Sequence, residues 1–166
     1  ITQLGFTDHV PVTDLEFQDD EQQMDISEVD AYIESIEDLQ AGYPDMTILK
    51  GFEAEYNPMK EQFLGELREK VDYMILGQQF VPNGIGQISK DSPEYPIEYA
   101  KMVCQAMDSG LFDIVAHPDI FMKFRDDVKT EEGKKLFLEN AKEASKLIID
   151  GIQFNPETGN ILSIQR

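Results

Sequence analysis

Two histidines are the only imidazoles in the 166 residues, and both close apolar runs of β-forming character. His9 follows Leu4-Gly5-Phe6-Thr7-Asp8, and His117 follows Ile114-Val115-Ala116. A histidine at such a place is more often structural than a metal ligand, so neither alone defines a site. A third run, Thr47 to Phe52, ends at Glu53, whose carboxylate could bridge two divalent ions. Imidazole nitrogens together with carboxylate oxygens form the donor set of zinc, manganese and iron hydrolases, which use the ion to activate water. The bland alternative for Glu53 and Glu55 is a pair of solvated acids beyond a strand. Basic groups that could grip an anion follow the His117 run as Lys123 and Arg125. Arg125 is the preferred candidate for substrate binding, because a guanidinium can hold two phosphate oxygens at once. Its competing role is a surface pair with Asp126 or Asp127. Tyr56, Phe80 and Phe121 could wall a substrate, although aromatic residues beside strand ends more often belong to the core.

Positioning these groups requires strands alternating with helices. Strands are predicted over Thr2 to Phe6, Thr47 to Phe52, Asp72 to Leu76 and Phe112 to Ala116. A helix is predicted over Ser27 to Leu39, where Val29, Ile33, Ile36 and Leu39 share one face, with Ser27 as N-cap and Gly42 as stop. Pro58 to Lys70 carries a shorter stripe of Phe63, Leu64 and Leu67. Ile97 to Met107 and Leu136 to Ile149 complete the helices. Strand-helix alternation is the pattern of a parallel α/β fold, because parallel neighbours need a crossover. No glycine-rich phosphate loop follows an early strand, which favours a barrel over an open doubly wound sheet. In a barrel the chemistry gathers at the carboxyl ends of the strands, where His9, Glu53, Gln79 and His117 fall. One domain spanning 1–166 is expected. It is expected to be an incomplete barrel, since a full one has roughly 200 or more residues. Its tail over 150–166 reads as two short strands around a turn, which a regular barrel would not contain.

The net charge of −19, from 33 acids against 14 bases, opposes general nucleic-acid binding, because a phosphate backbone would be repelled. The acids are spread along the chain and read as solvated surface. The single cysteine, Cys104, lies in an apolar stretch and reads as a small core residue. No run of about 18 apolar residues could span a bilayer, so no membrane association is expected and a cytoplasmic location is.

Three segments together carry a family resemblance. Gly5-Phe6-Thr7-Asp8-His9, Lys50-Gly51-Phe52-Glu53-Ala54-Glu55-Tyr56 and Asp113-Ile114-Val115-Ala116-His117-Pro118-Asp119 resemble, in order and spacing, motifs of the PHP (polymerase and histidinol phosphatase) phosphoesterases, histidinol-phosphate phosphatases above all. The resemblance runs from residue 1 to about residue 149. It implies a distorted seven-stranded (β/α) TIM-like barrel holding up to three divalent ions, a mixture of zinc, iron and manganese. It further implies hydrolysis of a small phosphorylated substrate, L-histidinol phosphate, in histidine biosynthesis, by metal-activated water. Glu53 would bridge two ions, His117 would hold one of them, and His9 would help hold a third; Glu53 and His117 are thereby the catalytic residues the resemblance implies. The family's opening H-x-H and late D-x-H pairs do not occur here. Gln79, in Tyr73-Met74-Ile75-Leu76-Gly77-Gln78-Gln79-Phe80, aligns with a family histidine ligand, and an amide oxygen is a poor substitute for imidazole on a transition metal. Weakened or absent turnover is therefore expected. Two alternatives stay open: a related barrel acting on another phosphoester, or a degenerate non-catalytic module. An exposed barrel edge would invite homo-oligomerisation or strand exchange.

Overall fold

In a computed structural model, residues 2–11, 24–81 and 88–151 are described. The hairpin expected in the tail lies outside them. The chain is α/β, with strands β1 (Gln3–His9), β2 (Thr47–Ala54), β3 (Tyr73–Leu76) and β4 (Ile114–Val115) following one another across a four-stranded parallel sheet in the order β1-β2-β3-β4. The helices are α1 (Val29–Gly42), α2 (Glu61–Arg68), α3 (Tyr95–Asp108) and α4 (Glu131–Gly151). All four predicted strands form. The chain divides into two compact units, one of residues 1–54 and 62–75, the other of 55–61 and 76–166.

In the first unit β1 and β2 pair in parallel, in a register that runs from Gln3 opposite Thr47 to His9 opposite Glu53. Both strands outrun their predicted ends, because ladder hydrogen bonds continue through polar residues as readily as through apolar ones. His9 is thus the last residue of β1, and Glu53 lies inside β2 rather than beyond it. Helix α1 lays Val29 and Ile36 against the sheet, while Leu39 stays 37% exposed. The helix is entered through a 3-10 turn, Ile26–Glu28, capped by Asp25 and not by Ser27: the Asp25 carboxylate accepts from Ser27 N at 2.8 Å, and Glu28 reaches back to Asp25 N at 3.0 Å. This reciprocal box satisfies two donors, where Ser27 alone would satisfy one. Tyr32 joins α1 to β2, its ring stacked on Phe52 at 5.2 Å and its hydroxyl donating to Gly51 O at 2.8 Å.

The opposite face of β1 and β2 is closed by Tyr73 of β3. Its ring lies across Gly5 and Gly51, and its hydroxyl meets the Thr7 hydroxyl and donates to Phe6 O at 3.1 Å. A Cβ at Gly5 would stand 2.6 Å from the Tyr73 hydroxyl. These two glycines therefore create the space the ring occupies.

In the second unit α3 packs on α4. A stripe of Phe137, Ala141, Ala144 and Ile148 on α4 is buried, as are Tyr95, Tyr99, Met102, Val103 and Ala106 on α3. The spacing of the α4 stripe is that of one helix face, and its two alanines let the backbones approach closely. Ala116 N donates to Leu76 O at 2.9 Å beside β4. Cys104 is half-buried, and its thiol donates to Leu147 O at 3.6 Å.

Candidate active site at the strand ends

Each motif residue stands at the carboxyl end of its strand. In the first unit His9 and Glu53 are direct neighbours across the β1–β2 ladder, with His9 Nε2 3.9 Å from Glu53 Oε1. The ladder is carried one step further by Val10 N, which donates to Glu53 O at 2.9 Å. Asp8 accepts from His9 N at 2.8 Å and so fixes the backbone beside the imidazole. The Glu53 side chain is 24% exposed and that of His9 40%. Both are therefore held by the fold yet open to a ligand, and Glu53 is not merely a solvated acid. The Nε2–Oε1 separation is compatible with one ion touching both, since zinc holds nitrogen and oxygen donors at about 2.0–2.2 Å. The pair supplies two donors of a set that needs four or more. Among the described residues no group of three or more His, Cys, Asp or Glu side chains that could hold a metal is assembled.

Tyr32 braces the two strands that carry this pair. Burial pushes the Tyr32 hydroxyl up to about 12, with the nearby Asp8 carboxylate adding to the effect. Tyr32 is thus a neutral phenol at any ordinary pH, donating to β2 through Gly51 and interacting with the backbone at Asp8 on β1.

His117, in the second unit, lies two residues beyond β4 and is exposed. Its φ is +32°, and it is the one non-glycine residue with positive φ among those described. Side chains other than those of asparagine, aspartate and histidine rarely adopt this region, and backbone of this kind clusters at functional sites. The following residues fold into an extended 3-10 segment, Ile120–Asp127, whose first amide donates to His117 O at 3.0 Å.

Gln79 follows β3 and is half-buried. Its neighbour Gln78, which the sequence did not single out, is the buried polar side chain of the second unit, with 0% exposure. Gln78 Oε1 accepts from Tyr56 N at 2.8 Å, its Nε2 donates to Phe80 O at 2.6 Å, and its backbone carbonyl accepts from the Tyr99 hydroxyl at 2.8 Å. One amide thereby ties the segment after β2 to the segment after β3. No sequence signal distinguishes it from the adjacent glutamine.

Arg125, the preferred anion-binding residue, turns its guanidinium to Asp126, with Nε and Nη2 at 3.1 and 3.0 Å from one carboxylate oxygen. Tyr56 and Phe121 are core residues at 1% exposure, packed against Phe112 and Tyr99, and so form no substrate wall. Phe80 remains half-buried.

The described residues define an α/β protein with a parallel four-stranded sheet whose first two strands carry His9 and Glu53 at their carboxyl ends. A solved structure of a Listeria monocytogenes protein assigned as the histidinol phosphatase HisK superposes with a TM-score of 0.60 at 17% identity, covering 89% of this chain and 67% of that one. In sequence the chain is 29% identical over 137 residues to a Deinococcus radiodurans protein named probable histidinol-phosphatase, a match that takes in 73% of this chain. It covers 50% of that relative, so the chain spans about half the length of the curated protein it matches. No family model matches. The sequence likeness is to a protein of the histidinol-phosphatase kind that the three motifs suggested, and the structural likeness shows the fold. Among the described residues no helix is long and apolar enough to cross a membrane.

Proposed function

We propose that this chain is part of a metal-dependent phosphomonoester hydrolase of the histidinol-phosphatase type, folded as part of a distorted seven-stranded barrel. The observation that carries the reading is the juxtaposition of His9 and Glu53 across the ends of two parallel strands, the place where α/β folds bind their ligands. In the first unit His9 and Glu53, and in the second His117, are the residues of this chain that would hold divalent ions, zinc, iron or manganese, each with further donors. Such ions, when bound, neutralise charge on the phosphoryl oxygens and acidify water. The ladder holds Glu53 in register with His9, and Asp8 fixes the backbone at His9. The proposed substrate is L-histidinol phosphate, converted to L-histidinol and phosphate. With Gln79 in the place of a family histidine, turnover by this polypeptide is proposed to be low.

The test is metal content by elemental analysis together with phosphate release from histidinol phosphate, for the chain and for Gln79→His. The reading expects bound metal and low turnover in the chain, with both raised in Gln79→His. Less than one equivalent of metal in both, with no hydrolysis of any phosphoester, would sink it. Gain of metal with preference for another phosphoester would overturn the substrate alone.

A further inference from the structure

The second unit also carries a cationic cluster that the strand-end motifs do not explain. Phe80 and Phe124 lie with ring centroids 5.9 Å apart, and Tyr95 meets Phe124 edge-on at 5.3 Å. The position of Phe80 is fixed from behind by Gln78, which donates to its carbonyl. Two ammonium groups converge on these rings. Lys90 Nζ is 4.8 Å from the Phe80 centroid and 5.3 Å from that of Phe124, and Lys123 Nζ is 4.7 and 5.0 Å from the same two centroids.

The convergence is notable in a chain with 33 acids and 14 bases. Lys50, Lys70, Lys101 and Lys134 each reach a carboxylate at 2.7–3.2 Å. Lys90 and Lys123 reach none among the described residues, although acids are plentiful, and have aromatic faces in their place. A ring quadrupole attracts an ammonium without cancelling its charge, so both ammonium groups keep their charge beside the same two rings. Glu55, the nearby acid, turns its carboxylate to Phe80 N at 3.4 Å. An anion between the lysines would remove their mutual repulsion and accept hydrogen bonds from both.

We propose that Lys90 and Lys123, held over Phe80 and Phe124, form a binding site for the dianionic phosphate group of a small phosphomonoester. Lys90 comes from the segment before α3 and Lys123 from the 3-10 segment after β4, so two separate loops close on one phosphate. The ligand class rests on the phosphoesterase reading; the anion site itself needs no metal.

The experiment titrates inorganic phosphate into chelator-treated chain at low ionic strength, followed by calorimetry. Lys90→Met and Lys123→Met keep the unbranched stem over the rings while removing the charge, and near-ultraviolet circular dichroism checks that the aromatic packing survives. Saturable binding is expected, weakened about tenfold by either exchange, as loss of a hydrogen bond to a charged group implies. Lys90→Arg and Lys123→Arg should retain it. Absence of saturable binding to the unaltered chain, or binding unchanged by both methionine exchanges, overturns the site. Phosphate release measured separately with added metal distinguishes the two readings. Lysine-dependent binding without hydrolysis leaves the anion site standing and removes the hydrolase, whereas hydrolysis indifferent to both lysines removes the site.

Discussion

Replacing Gln78 with leucine tests how the segments after β2 and β3 are held together. The exchange keeps the side chain's bulk and removes an amide that makes two short bonds, to Tyr56 N at 2.8 Å and Phe80 O at 2.6 Å, and a longer one of 3.4 Å to Tyr56 O. Tyr56 is 1% exposed and Phe80 is half-buried, so water does not readily replace the lost partners. Each orphaned buried group costs about 1–3 kcal/mol. The apolar leucine recovers part of this through burial, about 1 kcal/mol. The loss of the two short bonds therefore amounts to about 1–5 kcal/mol net, which at a urea dependence of about 2 kcal/mol/M lowers the unfolding midpoint by roughly 0.5–2.5 M. Urea denaturation followed by far-ultraviolet circular dichroism measures it. Gln79→Leu is the internal comparison, because that side chain makes no such bonds among the described residues, and its effect should stay within about 0.5 kcal/mol. Equal midpoints for the two variants would refute the assignment of Gln78 as the tie.

Gly51→Ala would drive a methyl group into the Tyr73 ring, whose Cε atoms would lie 2.7 Å away, and should cost about 1–3 kcal/mol; the loss should shrink in the Gly51→Ala, Tyr73→Ser double variant, measured by the same denaturation. The Tyr32 and Tyr56 hydroxyls are both pushed up to about 12, chiefly by burial, so the folded state holds its phenolic protons more tightly than the unfolded chain does. Their contribution is full below about pH 10, the unfolded value, and is lost as pH rises through about 12, so the urea midpoint should fall over that window and fall less in Tyr56→Phe. Glu53→Gln should lower bound zinc or manganese in elemental analysis without moving the urea midpoint by more than about 1 kcal/mol, because the side chain is partly exposed. Among the described residues β1 ends the sheet, with Leu4 40% exposed, and light scattering should report self-association through that edge; a monomeric mass at high concentration refutes it.

The parts of this fold legible in the sequence are those written in local pattern. Thr47 to Phe52 and Asp72 to Leu76 announce strands by β-branched and aromatic residues between turn residues, and the α1 face announces itself by spacing. Strand ends are not local, which is why β1 extends through Thr7, Asp8 and His9: their backbone partners, Gly51 to Glu53, lie more than forty residues away. That extension also sets His9 beside Glu53, which the sequence could place at separate strand ends but not at 3.9 Å. Gln78 and Gln79 are chemically identical neighbours, and only tertiary packing decides which is enclosed. Lys123 was visible as a basic residue after the His117 run. Its partner Lys90 is thirty-three positions earlier, and a cation over an aromatic ring leaves no periodic trace.

The left-handed backbone at His117 carries a wider consequence for how this chain can change over time. A non-glycine residue there costs about 1–3 kcal/mol of folding free energy, so selection for stability alone favours glycine at 117 over any side chain of ordinary shape. His117→Gly should accordingly be more stable than His117→Ala by about 1 kcal/mol, isolating the backbone term from the lost imidazole. A lineage released from the need for that ring would drift toward glycine or asparagine at this position, and one that keeps histidine there bears a standing thermodynamic cost for what the ring does.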